Sequence, residues 1–344
     1  MKIRPDPRAV IFGCKGYKLS DEEQFFFSET NPCGFILFSR NCKNIEQIKQ
    51  LVKSLRSSVN RKDVPILIDQ EGGRVNRLNG REWRTPPSQG SFGELANLLS
   101  DKDINRLLWL NGALIGHELI SLGINVNCAP VLDLRIKGQS EVIGDRSYGD
   151  QPELITKLAK SFISGMQSVG VYAVIKHIPG HGRAKIDSHV DLPVVDETME
   201  NLLSNDFLPF INLNYCYFAM TAHVMFSAID NQHPVTFSSK VINEIIRKKI
   251  GFKGLLLSDD ISMGALSGSV IERSSMAINA GCDLVLHCNG NIDEMKEVIK
   301  AVPHIKKHKL QNPADFSIKQ NNPFNYNNLY QEFNRLYQLG NTCD

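Results

Sequence analysis

Eight short apolar runs recur along the chain, at residues 9–13, 35–38, 66–68, 126–129, 172–175, 218–221, 255–257 and 284–286. Most are continuous rather than alternating, which is the pattern of parallel strands covered on both faces. Between them lie longer amphipathic stretches. Residues 44–56 carry Ile45, Ile48, Leu51, Val52 and Leu55 at helical spacing. Ser20-Asp21-Glu22-Glu23 has the form of a capping box and opens a helix. The stretches 103–122, 152–169, 241–250 and 270–280 stop at Gly123, Gly170, Gly251 and Gly281, as helices do. Eight strands alternating with helices predict an α/β fold, a single-domain (β/α)8 TIM-type barrel. A doubly wound sheet is the second choice; no Gly-x-Gly-x-x-Gly follows an early strand, which removes its main dinucleotide form. The predicted barrel covers 1–305. The Asn- and Gln-rich segment 306–344, with one amphipathic stretch at 329–339, is expected to be a C-terminal helical tail packed on it.

The chain has 344 residues, 42% hydrophobic and 22% charged, so it can bury a large core. A net charge of +2, with no basic stripe interleaved with aromatics, argues against a nucleic-acid binder. Arg247-Lys248-Lys249 and Lys306-Lys307-His308-Lys309 read as solvated faces. No apolar run reaches the roughly 18 residues of a membrane span, and the N-terminus lacks a signal core. Eight scattered cysteines without a Cys-x-x-Cys pair read as reduced thiols. A cytoplasmic protein, acting as a monomer and without a membrane partner, is expected.

The chemistry-bearing residues cluster at the ends of the predicted strands. The densest stretch is Lys176-His177-Ile178-Pro179-Gly180-His181-Gly182, followed by Asp187-Ser188-His189. Its glycines and proline predict a loop. Asp69, Asp133, His223, Asp259 with Asp260, and His287 close five other runs. In a (β/α)8 barrel those ends converge on one mouth. Each residue also has a structural reading. Asp69 could cap a helix beginning after Gly73, Asp133 a turn, and Asp260 the Met263-Gly264 turn. His223 and His287 could be satisfied core histidines.

Glycoside hydrolysis needs one carboxylate at the anomeric carbon and one acid at the leaving oxygen. Asp259, at a strand end, suits the nucleophile. His189, with Asp187 two residues before it, suits the acid/base. His177, His181, Asp187 and His189 could instead chelate a divalent ion, but the Lys176 cation opposes one. No metal or other cofactor is expected.

Taken together, these motifs resemble the β-N-acetylhexosaminidases of glycoside hydrolase family 3, the NagZ type. The resemblance covers roughly residues 9–289. It runs through Gly34-Phe35-Ile36-Leu37-Phe38-Ser39-Arg40-Asn41, Asp69-Gln70-Glu71-Gly72-Gly73-Arg74-Val75, Asn127-Cys128-Ala129-Pro130-Val131-Leu132-Asp133 and Gly144-Asp145-Arg146-Ser147-Tyr148-Gly149. It continues through the histidine-rich loop, Met220-Thr221-Ala222-His223 and Ser258-Asp259-Asp260-Ile261-Ser262-Met263. The family's common phenylalanine in the glycine loop is Ile178 here. The resemblance implies that Asp259 is the nucleophile and His189 the acid/base with Asp187 as its partner. It also implies that Asp69, Arg77, Arg146, Lys176 and His177 hold the sugar.

By the same resemblance the reaction is retaining exo-hydrolysis of terminal β-linked N-acetylglucosamine. The substrate is a small carbohydrate, GlcNAc-anhydroMurNAc with or without peptide, released in peptidoglycan recycling. Three rivals remain. A glycoside phosphorylase would use the same histidine, because an imidazole does not repel an incoming phosphate as a carboxylate would. A sugar-binding barrel would lack turnover, and a metal-dependent hydrolase would need its ion.

Overall fold

A computed structural model describes residues 6–305 and 324–341. The basic cluster at 306–309 and Cys343 lie outside the described residues, as do residues 1–5. Eight parallel strands close into a barrel: β1 (Arg8–Gly13), β2 (Pro32–Leu37), β3 (Ile66–Ile68), β4 (Val126–Asn127), β5 (Tyr172–Ile178), β6 (Phe218–Thr221), β7 (Leu255–Asp260) and β8 (Leu284–His287). Each pairs with its neighbours in chain order, and β8 returns to β1 through Val10↔Val285, Ile11↔Leu286 and Phe12↔His287. All eight predicted runs became barrel strands. Their ends moved: β2 starts three residues earlier than expected, and β5 runs on through Lys176, His177 and Ile178.

The runs are apolar throughout because both faces of every strand are buried. Alternate residues divide between two cores. Ile11, Leu67, Val174, Leu255, Leu257, Leu284 and Leu286 belong to a cluster inside the barrel. Their neighbours Val10, Phe12, Ile66, Ile68, Ile175, Leu256 and Val285 belong to the larger cluster beneath the helices. A strand with one wet face would have shown polar alternation.

The helices obey their sequence signals. Ser20 Oγ accepts from Glu23 N, and Glu23 Oε2 accepts from Ser20 N, closing the predicted capping box of the helix Asp21–Thr30. Gly123, Gly170, Gly251 and Gly281 all take positive φ, the conformation that ends a helix at no steric cost to glycine. The segment Val241–Lys249 is a wider, π-type helix rather than a regular one. Two small pairings outside the barrel had no sequence signal: Gln70–Gly72 with Val75–Asn76, and Val194–Val195 with Met225–Phe226. The first of them replaces the helix considered after Gly73.

The helix Tyr326–Asn341 lies on the barrel's flank. Leu329, Phe333 and Leu336 are buried, and Phe333 packs edge-on to Phe92. Arg106 grips Glu332 with two hydrogen bonds, of 2.8 and 2.7 Å, and Tyr326 Oη donates to Glu118 Oε1 at 2.6 Å. No helix among the described residues is long and apolar enough to cross a membrane.

The tightest helix pair is Asp101–Ser121 against Pro152–Ser168. Their approach is set by reciprocal glycines. A Cβ on Gly112 would sit 2.1 Å from Phe162 O, and one on Gly165 would sit 2.0 Å from Trp109 O. Neither backbone oxygen can yield without separating the helices. Gly112→Ala is therefore expected to lower unfolding free energy by about 1–3 kcal/mol, the usual cost of overpacking. Urea unfolding followed by circular dichroism checks this, and an unchanged midpoint contradicts it.

Candidate active site

The residues that continue the barrel's inner columns upward form the wall of a cavity. On successive inward positions Leu67 is followed by Asp69 and Glu71, Val174 by Lys176, Leu257 by Asp259, and Ile36 by Phe38. The cavity has a volume of about 620 Å3, within the range of small-ligand sites. All eight residues to which the resemblance gives a role line it.

Two register shifts shape this wall. Between β5 and β6 the pairing passes from Lys176↔Met220 to Ile178↔Thr221, leaving one extra residue on β5. Between β7 and β8 it passes from Leu257↔Leu284 to Asp260↔Leu286, leaving one extra on β7. Such bulges re-aim side chains at the rim of a sheet. Lys176 and His177 are consecutive yet both face the cavity, as are Asp259 and Asp260. A regular strand would have sent one of each pair outward.

A buried ion cluster forms the floor. Lys176 Nζ lies 2.8 Å from Asp69 Oδ1 and 2.6 Å from Glu71 Oε1. Arg146 grips the same Glu71 with two hydrogen bonds of 2.9 Å. Arg77 Nη2 reaches Asp69 Oδ2 at 3.5 Å. Burial opposes the charge on Glu71, Arg146 and Lys176. It pushes the Glu71 carboxyl up, yet Arg146 and Lys176 outweigh it and hold Glu71 far below the usual carboxylate range. It pushes Lys176 down, yet Asp69 and Glu71 raise that ammonium well above its ordinary value. Glu71, Arg146 and Lys176 are therefore held in their charged forms, which offers a fixed array of donors and acceptors to a polar ligand.

Asp259 stands against His177. Its Oδ2 lies 4.0 Å from His177 Nε2, and its Oδ1 accepts from Asp260 N at 2.7 Å. Burial alone would raise this carboxyl; His223, His177, the Asp260 N–H and Lys176 bring it below the usual range. Asp133 orients His177 from behind. The His177 Nδ1–H donates to Asp133 Oδ2 at 2.6 Å, and the His177 and His181 backbone N–H groups donate to the same carboxylate. Asp133 is completely buried and, despite that, held below its ordinary range, first by His177. It does more than cap a turn.

Across the cavity, Asp187 Oδ1 accepts from His189 N at 2.9 Å and from His189 Nδ1 at 2.7 Å. These side chains are 42% and 62% exposed, in contrast to the floor. The bond fixes the proton on Nδ1 and leaves Nε2 to face the cavity and solvent. Burial works to raise the Asp187 carboxyl, but the bonds from His189 bring it below the usual range.

Two other strand-end residues, His223 and His287, stay outside the cavity. His223 donates from Nε2 to Asp260 O at 3.0 Å and pairs through Nδ1 with Thr236. His287 bonds Glu294 at 2.9 Å. Both are fully buried core histidines. Asp260 lines the cavity, but its carboxylate accepts from Ser262 N, Ser262 Oγ and Cys288 N. Asp69 caps no helix. The four candidate chelators are dispersed into separate bonds: His177 to Asp133, His181 to Ser188, and Asp187 to His189. Sequence reasoning assigned no role to Glu71, although its spacing of two from Asp69 in an extended segment was the available signal.

A polar cavity with a charged floor, at the C-terminal mouth of a closed (β/α)8 barrel, is the layout of a barrel enzyme. The chain matches the profile of the glycosyl hydrolase family 3 N-terminal domain over residues 8–314, and it belongs to that family. It is 38% identical over 317 residues to a β-hexosaminidase of Haemophilus influenzae, covering 91% of this chain and 86% of that one. NagZ from Neisseria gonorrhoeae, solved in complex with N-trifluoroacetyl-D-glucosamine, superposes with a TM-score of 0.86 at 27% identity, covering 98% of this chain and 99% of that one. A family 3 β-N-acetylglucosaminidase from Paenibacillus sp. str. FPU-7 superposes at 0.80 with 30% identity. It covers 97% of this chain, which spans 61% of that longer protein. The chain is a glycoside hydrolase of the β-hexosaminidase type.

Removing Glu71 would leave two buried cations without their shared carboxylate. Glu71→Ala is expected to cost about 3–5 kcal/mol of stability, as breaking a buried pair does. The sign with pH follows from its depressed folded-state pKa. The contribution is complete above the unfolded carboxylate value and is lost as pH falls towards the folded one. The stability gap between the wild type and Glu71→Gln should therefore narrow below about pH 4. Denaturant titrations at several pH values measure the gap, and a gap that widens on acidification contradicts the assignment.

Proposed function

We propose that the chain is a retaining exo-β-N-acetylglucosaminidase working by double displacement. The observation that carries this reading is the placement of Asp259 and the Asp187–His189 pair on one cavity. The Asp259 carboxylate attacks the anomeric carbon while His189 Nε2–H protonates the departing oxygen. A glycosyl-Asp259 ester and an alcohol result. His189 Nε2 then takes a proton from water, which attacks the anomeric carbon, breaks its bond to Asp259 and frees the sugar and the carboxylate. Asp187 holds the imidazole tautomer and balances its charge in both steps. Asp69, Arg77, Arg146, Lys176 and His177 grip the terminal sugar, supported by the ionised, interlocked floor. Glu71 braces that grip.

The proposed substrate is GlcNAc-anhydroMurNAc, with or without peptide, within peptidoglycan recycling. The proposed setting is a cytoplasmic monomer, with residues 1–305 as catalytic barrel and 306–344 as tail. The unpaired state of all seven described cysteines, six of them buried, supports a reducing compartment.

An aryl N-acetyl-β-glucosaminide should turn over and the matching glucoside should not. Asp259→Ala should lower kcat/KM by about 10^4-fold or more, as loss of a nucleophile does. A 2-fluoro glycoside should leave a covalent adduct on Asp259, seen by mass spectrometry. Because Asp259 sits below the usual carboxylate range, kcat/KM should show no loss attributable to a protonating carboxylate as pH falls to about 5. Absence of the adduct refutes the nucleophile. Sugar-1-phosphate as the main product in phosphate buffer refutes hydrolysis.

A further inference from the structure

The loop bearing Asp187 and His189 is fastened at Ser188, and the fastening runs to the strand that carries Asp259. Ser188 is buried between two solvent-reaching neighbours. Its Oγ pairs with His181 Nε2 at 3.0 Å, and His181 N donates to Asp133. Its carbonyl accepts from Ala265 N at 3.1 Å. Beside that bond lies Gly264, whose hydrogen faces the loop backbone. A Cβ there would sit 2.6 Å from His189 O and 2.9 Å from Val190 O. Both are backbone atoms, so no side-chain rotation relieves the overlap. Gly264 and Ala265 follow Asp259 by five and six residues, on the connection leaving β7.

We infer that Ser188, Gly264 and Ala265 form a clasp that sets the position of His189 relative to Asp259, with Gly264 as a positioning residue. The clasp rests on the assignment of His189 as acid/base made above. Its physical basis is contact distance. A methyl group at 264 must push the His189–Val190 backbone outward by several tenths of an ångström, and proton transfer depends on reach at that scale. The three atoms nearest a Cβ at 264 all belong to His189 and Val190, so the nucleophile and the grip on the terminal sugar should survive the change.

The test compares Gly264→Ala with His189→Ala on two aryl N-acetyl-β-glucosaminides, one with an activated leaving group and one with a poor one. For the poor leaving group, Gly264→Ala should lose about 10-fold or more in kcat/KM, part of the 10^2–10^4 that general acid catalysis supplies. For the activated one, kcat/KM should stay within about twofold, while kcat and KM fall together because deglycosylation lacks its base. Added azide should then raise kcat and yield the glycosyl azide. A merely structural defect would lower both substrates alike and would not respond to azide. Should Gly264→Ala fail to fold, Ser188→Ala, which adds no bulk, must show the same split. Wild-type behaviour or uniform loss in the folded variant, beside the leaving-group dependence of His189→Ala, overturns the clasp alone. If His189→Ala shows no such dependence, the acid/base assignment falls and the clasp falls with it.

Discussion

A closed barrel admits only every second residue of each strand to its interior, and the site is built from that restriction. The inner columns of β3, β5 and β7 are apolar until their last step, where Asp69, Lys176 and Asp259 appear. Each column is anchored below by side chains with no exposure, such as Leu67, Val174 and Leu257. The polar layer therefore inherits the rigidity of a packed core. Where chemistry asks for two adjacent residues on one face, at Lys176–His177 and Asp259–Asp260, the register shifts by one residue. The bulges are the local departure that lets a regular barrel carry a dense site.

The ion cluster on that floor is poor value as a source of stability. Stripping water from Lys176, Glu71 and Arg146 costs several kcal/mol per ion, which their mutual attraction does little more than offset. Hydrophobic residues of like volume would hold the barrel as well. What the cluster supplies is orientation. Lys176 and Glu71 are each locked by two opposite charges, and Arg146 by Glu71 and the Val142 carbonyl, so donors and acceptors stand ready before a ligand arrives and need no rearrangement when it does. The need for that arrangement explains why charged residues sit in strands otherwise chosen for burial.

The sequence made the barrel legible because continuous apolar runs, glycine stops and one capping box all agreed with the same period. It also showed which residues share the mouth, since strand ends in such a fold have one destination. Three things escaped. The Gln70–Gly72 pairing with Val75–Asn76 depends on a contact between short polar segments without apolar alternation. Asp133 looked like a turn residue because its partners, His177 and His181, are more than forty positions away. The clasp at Gly264 rests on a close backbone approach, and a glycine in sequence announces freedom without saying what fills the space. Strand position and charge type were local information; partner identity was not.

Two Asp–His pairs at this site have nearly the same geometry, at 2.6 Å for Asp133–His177 and 2.7 Å for Asp187–His189. Residue type cannot tell them apart. Environment does. Asp133 is fully buried, and His177 is nearly so, showing the cavity only one edge of its ring. That pair is suited to hold a ring in place against Asp259. Asp187 and His189 stand largely in solvent on a loop fastened at a single buried serine. A proton can arrive or leave there without desolvating an ion, which is the setting that the proposed acid/base role requires. The two pairs share their side-chain types, and burial is what sets them apart.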